Sequence, residues 1–392
     1  FVVILADDLG YGDLGVYGSR QNRTPHIDKL AAEGLRFTDF HSNGPMCTPT
    51  RAALMTGLYP QRLGRLFESP LSGWTGAKTG LPHRAVTLAE QLRDAGYVSG
   101  AFGKWHLGYA PPNLPTWHGF DEFRGLSSGD GDHHTQIDRV GNEDWWHDSR
   151  IVMETGYTGD LITRDAVSFI ERHKDRPFFL YVPHLLIHFP WQGPEDPPQR
   201  VKGQNYEDDK WGIVPDRANV APHVKAMVES LDGSVGQIMA ALQRHGLDER
   251  TLVVFASDNG GYLTYSGGFA NISSNGPLRG QKTDTFEGGH RVPAIFRWPG
   301  RIRAGVSDAI AATFDLVPTL VRLAGAEPVR HDGVDLRALL FEGKPLPKRD
   351  LFWRIGAKKA ARRDDWKLVS VGDAPPMLFD LKGDIGERRD LA

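Results

Sequence analysis

The chain of 392 residues has a single cysteine, Cys47, so no internal disulfide can form and the redox compartment cannot be read from bridges. It has no apolar run approaching the roughly 20 residues that span a bilayer. Nor is one charge in excess, since 46 Lys and Arg stand against 49 Asp and Glu, and the basic residues are scattered rather than blocked. A net charge of -3 supplies no long-range field for nucleic acid or an anionic membrane, and neither partner is expected. Internal repeats and low-complexity tracts are also missing. What remains is a globular composition, 40% hydrophobic, sufficient to bury a core without staples. No signal peptide stands at the start, so the chain is expected to be soluble as given, and because Phe1 to Leu5 already reads as a buried strand, upstream residues are expected to have been processed or trimmed.

Apolar runs of strand length alternate with helical patterns, which predicts an α/β fold with a large, mostly parallel sheet between helices. The expected strands are Phe1 to Leu5, Val98 to Trp105, Phe178 to Val182, Thr251 to Ala256 and Val292 to Arg297. Helices are expected from Pro25 to before Gly34, over Leu88 to Ala95, Asp160 to Lys174 and Asp232 to His245, on the strength of their start and stop residues. After about residue 330 a short helix, Val334 to Phe341, precedes short runs at Leu351 to Ile355, Lys367 to Val371 and Met377 to Leu381. The pattern divides the chain into a catalytic α/β domain, 1–329, and a small C-terminal subdomain of helix and antiparallel sheet, 330–392. Long loop-rich stretches at 60–84, 109–150 and 190–221 are of the kind that usually carry function.

The chemistry-bearing residues gather at strand ends. The first strand ends in Asp7-Asp8, and the run at 251–256 leads into Asp258-Asn259. In open α/β sheets ligands bind beyond the carboxyl ends of strands, and two such ends offer oxygen donors for a hard cation. Each pair alone also reads as a turn, since Asp-Asp caps turns and Asn-Gly marks hairpins. Cys47-Thr48-Pro49-Thr50-Arg51 follows, with Pro49 suited to a first helical position, which puts Cys47 just before a helix N-terminus where an anion is favoured. A lone cysteine is more often a small buried thiol.

The segment Cys47-Thr48-Pro49-Thr50-Arg51-Ala52-Ala53-Leu54-Met55-Thr56-Gly57 resembles the signature of the type I, formylglycine-dependent sulfatases of the alkaline phosphatase superfamily, and the resemblance runs from Asp7-Asp8 to Phe379-Asp380-Leu381. It implies that a formylglycine-generating enzyme or an anaerobic maturase oxidises Cys47 to formylglycine. It further implies one divalent ion, Ca²⁺ or alternatively Mg²⁺, held by Asp7, Asp8, Asp258, Asn259 and residue 47. Gly103-Lys104-Trp105-His106-Leu107-Gly108 matches the family's second signature, and strand spacing would put Lys104 and His106 on one face. His188, followed by Pro190 and Gln192, matches the family's leaving-group histidine, with His184 as competitor. Lys282 matches a sulfate-binding lysine, Glu287 and Arg291 read as a structural ion pair, and the role of His290 is open.

The resemblance implies sulfate ester hydrolysis. The hydrated aldehyde attacks sulfur, Arg51, Lys104 and Lys282 stabilise the sulfate oxygens, and His188 protonates the departing alcohol. His133, His134, Trp145 and Trp146 in the loop 109–150 suit a sugar ring, so a sulfated saccharide is expected ahead of another small sulfate ester such as an aryl sulfate. The alternatives are a phosphomonoester or phosphonate hydrolase of the same superfamily and a non-catalytic binder of sulfated glycans. The family implies a periplasmic or secreted location.

Overall fold

A computed structural model describes residues 1–72, 79–207, 216 and 218–392. Parts of the loop-rich stretches 60–84 and 190–221 lie outside the described residues. The main sheet contains β1 (Val2–Ala6), β2 (Leu35–His41), β3 (Val98–Phe102), β4 (Glu122–Gly125), β5 (Trp146–His147), β6 (Arg150–Ile151), β7 (Phe178–Pro183) and β8 (Val253–Ser257). After a two-stranded ribbon, β9 (Thr264–Tyr265) and β10 (Phe269–Ala270), it is completed by β11 (Arg291–Arg297), β12 (Gly305–Ser307) and β13 (Ala311–Ala312). The order is β12-β2-β11-β8-β1-β7-β3-β4-β5-β6, with β13 also on β2. The centre, β8-β1-β7-β3-β4, is parallel, while β11 runs antiparallel to both β8 and β2. The sheet is therefore mixed.

Because side chains alternate along a strand, the all-apolar β1 feeds two cores at once. Val2 and Ile4 pack on the side of α1 (Pro25–Ala32), α5 (Thr158–His173) and α6 (Ala221–Arg244). Val3 and Leu5 pack on the opposite side, against α2 (Cys47–Thr56), α4 (Leu88–Asp94) and α8 (Leu316–Leu323), while the single-turn α3 (Pro60–Leu63) follows α2 and the single-turn α7 (Glu287–His290) leads into β11. Thr87 closes a capping box with Glu90 at the start of α4. The helix α6 begins at Ala221, well before the expected Asp232, because Met227, Val228, Leu231, Val235 and Ile238 continue one buried stripe back to Val224.

The strand expected to reach Trp105 stops at Phe102. Gly103 has φ 133°, and a Cβ there would meet the Pro183 carbonyl at 2.0 Å, so the chain turns out of the sheet at a position only glycine can fill. Near the C-terminus α9 (Arg337–Glu342) buries Leu340 in the main core. A four-stranded antiparallel sheet follows, β14 (Asp350–Ile355), β15 (Lys358–Arg363), β16 (Trp366–Val371) and β17 (Met377–Asp380), with its own small core around Trp353, Val369 and Phe379.

Three buried histidines are held neutral by the fold. Burial lowers His118 and His133 to about 4 and His184 to about 3, from an ordinary value of 6.5. The folded values lie below the unfolded one, so the unfolded chain takes up protons that the native state refuses. Their stabilisation is complete above about pH 6.5 and is lost as pH falls through the folded values. The melting temperature is expected to drop between pH 6.5 and 4 in a calorimetric series, and a flat profile there would contradict this.

Candidate active site

The strands β1 and β8 are neighbours in parallel register, Ala6 opposite Ser257, so their carboxyl ends deliver Asp7, Asp8, Asp258 and Asn259 to one place. All four side chains are buried. The helix α2 points its N-terminal end at them, and Cys47 is its first residue rather than the residue before it, with Pro49 in the first turn, where its missing N–H is no loss. Cys47 Sγ lies 3.6 Å from Asp7 Oδ1, 3.5 Å from Lys104 Nζ and 3.4 Å from Lys282 Nζ. Lys104 also bonds Asp7 Oδ2 at 2.6 Å, and Lys282 reaches Asp8 Oδ1 at 2.5 Å. Burial pushes the Cys47 thiol up to about 12 despite the two ammonium groups. As an unmodified thiol it is therefore a poor nucleophile at neutral pH.

The carboxylates are crowded. Burial, with Asp258 alongside, raises Asp7 to about 8. Asn259 donates from Nδ2 to Asp8 Oδ1 and to the Gly260 carbonyl, both at 2.9 Å, and its buried Oδ1 has no partner. Ligand atoms of Asp7, Asp8, Cys47 and His188 lie within 4.8 Å of one another. A concentration of buried carboxylate oxygens with one orphaned amide oxygen fits a hard divalent cation, which would relieve the repulsion and satisfy Asn259.

Arg51 is used differently from the expectation that it contacts sulfate. It is fully buried, with Nε and Nη2 on Asp258 Oδ2 at 3.1 and 2.9 Å and Nη1 on the Lys104 carbonyl at 2.6 Å. These bonds commit the fork of the guanidinium, which fixes the end of β8 and the turn carrying Lys104. Asp258 in turn spends Oδ2 on Arg51 and accepts the Asp8 N–H on Oδ1 at 3.2 Å, which leaves it the most internally bonded of the expected ligands.

Lys104 and His106 both face the site, though through a loop and not through strand alternation. The backbone of His106 is left-handed, with φ 56°, and its Nε2 bonds the Leu71 carbonyl at 2.9 Å. The loop bearing Lys282 docks through Lys282 N–H on the Gly261 carbonyl and Thr283 N–H on the Pro45 carbonyl. His188 and His184 separate clearly. His184 is bonded to Ser234 Oγ at 2.9 Å inside the core, whereas His188 Nε2 lies 3.9 Å from Asp8 Oδ2. His188 donates from Nδ1 to the Phe189 carbonyl at 2.7 Å, which leaves Nε2 as the nitrogen facing the site. Burial, then Lys104 and Lys282, hold its pKa well below 6.5.

Cys47, His106, His188 and Lys282 floor a cleft of about 260 Å³ whose walls include Leu71, Tyr109, Asp130, Arg139, Phe189, Tyr262 and Tyr265. The residues expected to receive a sugar ring do not line it. His133 bonds Thr158 and the His188 carbonyl, His134 bonds the Gly193 carbonyl, and Trp145 and Trp146 are buried with their indole N–H groups on Glu154 and Asp144. They pack the loop. The aromatic wall comes instead from Phe189, Tyr262 and Tyr265, with ring centroids 5.3 Å apart for Phe189 and Tyr265 and 4.5 Å for the tyrosines. Sequence reasoning missed it; Tyr262 follows Asp258-Asn259 closely, and that adjacency was the available signal.

Glu287 and Arg291 pair at 3.2 Å within a larger buried network. Lys367 and Arg362 of the C-terminal sheet reach Glu287 at 2.8 and 3.5 Å, and Arg362 also holds Asp39. His290 sits against His41 and Lys367 and stacks on Trp353 at 3.9 Å. These residues join the small sheet to the large one.

A profile of the Sulfatase family matches residues 1–326. The chain is 36% identical to arylsulfatase A of Bos taurus, over 100% of this chain and 82% of that protein. It is 36% identical to N-acetylgalactosamine-6-sulfatase of Canis lupus familiaris, over 91% of this chain and 68% of that protein. Among solved structures it superposes on Ps i-CgsB, determined alone and in complex with k-i-k-neocarrahexaose, with TM-score 0.85 and 33% identity over 100% of this chain and 88% of the other. The chain belongs to the Sulfatase family and is a sulfuric ester hydrolase.

Proposed function

We propose that the protein hydrolyses a sulfate ester of a saccharide at residue 47, after Cys47 has been oxidised to formylglycine by a maturation enzyme, with one Ca²⁺ (Mg²⁺ as the alternative) at Asp7, Asp8, Asp258 and Asn259. The observation that carries this reading is the position of Cys47, buried and set between two lysines and a carboxylate cluster. A hydrated aldehyde at this position would supply the hydroxyl nucleophile, and a divalent cation held by Asp7, Asp8, Asp258 and Asn259 would supply the positive charge that lowers that hydroxyl's pKa. The S–O bond to the leaving group breaks, and water is consumed overall as the alcohol and inorganic sulfate are released.

The chain's own residues divide the remaining work. Lys104 and Lys282, each within hydrogen-bonding range of residue 47, bind and neutralise the sulfate oxygens. Arg51 is a positioning residue that locks Asp258 and the Lys104 turn. His106 borders the cleft where the residue 47 hydroxyls would lie and orients them. His188 passes a proton from Nε2 to the leaving oxygen. A sulfate monoester between the two ammonium groups offsets the charges that depress the histidine, so substrate itself favours the protonated form. The aromatic wall and the saccharide named with Ps i-CgsB support a carbohydrate substrate. The resemblance to exported family members supports a periplasmic or secreted location.

The test is release of free sulfate from a panel of sulfated mono- and oligosaccharides and one aryl sulfate, with Ca²⁺ present and conversion at residue 47 verified. Sulfate from at least one saccharide is expected. Cleavage of phosphate esters with none of the sulfates turned over would contradict the proposal.

A further inference from the structure

The cleft carries a polar pair that the hydrolytic chemistry leaves unused. Asp130 Oδ2 accepts from Arg139 Nε and Nη2 at 3.3 and 3.2 Å and from the buried Arg200 Nη2 at 2.9 Å. The Arg139 guanidinium lies over the Phe189 ring, 5.1 Å from its centroid, and Phe189 lies 4.4 Å from the His188 ring. Both Asp130 and Arg139 line the cleft, and the Arg139 side chain keeps 33% of its exposure. Among the described residues, Arg139 Nη1 and Asp130 Oδ1 make no hydrogen bond.

A donor and an acceptor are thus fixed side by side, on a guanidinium stacked against the residue that follows His188. Since His188 faces the leaving oxygen in the proposed reaction, this pair borders the leaving group rather than the sulfate. A hydroxyl both donates and accepts, and satisfies the two free atoms together. A second sulfate or a carboxylate would accept from Arg139 but confront the Asp130 charge. A bare aromatic ring would shield both atoms from water and pair neither.

We infer that Asp130 and Arg139 form a specificity site that reads a free hydroxyl on the sugar ring bearing the scissile sulfate. This rests on the carbohydrate reading above. Hydrogen bonds to charged groups predict that Arg139→Met lowers kcat/KM for the sulfated saccharide, relative to that for an aryl sulfate, by about 10- to 100-fold. Arg139→Lys, which keeps the charge and loses the planar fork, should lower the same ratio. A ratio within about twofold of wild type, with saccharide turnover present, overturns the inference alone. Should neither variant fold, wild-type enzyme on monodeoxy analogues reads the same contact: one hydroxyl whose removal costs more than tenfold supports it, and no such position overturns it. If the converted wild-type protein cleaves the aryl sulfate and no saccharide at all, the carbohydrate reading falls and this one with it.

Discussion

Cys47→Ser is expected to abolish sustained turnover, with kcat falling by more than about 10⁴-fold, while the fold survives. The substitution is small, and residue 47 sits in a helix N-terminus whose remaining bonds are made by Thr48 and Thr50 with the His106 and Gly44 carbonyls. The loss therefore comes from chemistry. A serine hydroxyl between Lys104 and Lys282 would meet sulfate in much the same place, but a serine ester has no second hydroxyl on the same carbon to expel it. Losses on removing a nucleophile in other hydrolases reach this size. Loss of steady-state sulfate release with unchanged thermal unfolding is the expected pair of results, and multiple turnover by the serine variant would remove residue 47 from the chemistry.

His188→Ala is expected to lower kcat on a sulfated saccharide by about 10² to 10⁴-fold, with a much smaller loss on an aryl sulfate bearing an acidic phenol. The asymmetry is the informative part. A sugar alkoxide is a poor leaving group and needs its proton in the transition state, whereas a stabilised phenoxide departs with little help. His188 Nδ1 is fixed on the Phe189 carbonyl, so only Nε2 is positioned to transfer that proton. Equal losses on the two substrates would mean that the histidine holds the cluster in place, through its approach to Asp8, and transfers no proton.

Much of this site was legible because its residues occupy points where the chain announces a change. Asp7-Asp8 and Asp258-Asn259 end apolar runs, and a parallel pairing of those runs brings them together. Cys47 opens a helix that stops at Gly57, with φ 71°. Two of the strands that escaped notice carry polar residues whose partners are distant in sequence. The strand β2 carries Asp39 and His41, and β15 reads Lys-Lys-Ala-Ala-Arg-Arg. Asp39 becomes acceptable inside the protein because, besides His41 and Arg291, Arg362 arrives from β15, a pairing with |i−j| of 323 that local pattern cannot reveal. The use of Arg51 was hidden for the same reason, since its proximity to Cys47 in sequence suggested the sulfate while Asp258 claims it in space. The aromatic wall of the cleft was misplaced because a tryptophan looks alike in sequence whether it packs a loop or lines a cleft.

The central claim is that the protein works only through converted residue 47. Preparations made with graded co-expression of a maturation enzyme would carry different fractions of formylglycine, measured by mass analysis of the peptide containing residue 47. Specific activity on one saccharide sulfate, at saturating Ca²⁺, is predicted to rise in proportion to that fraction and to extrapolate to zero for the pure thiol. Activity that is independent of the converted fraction would contradict the account.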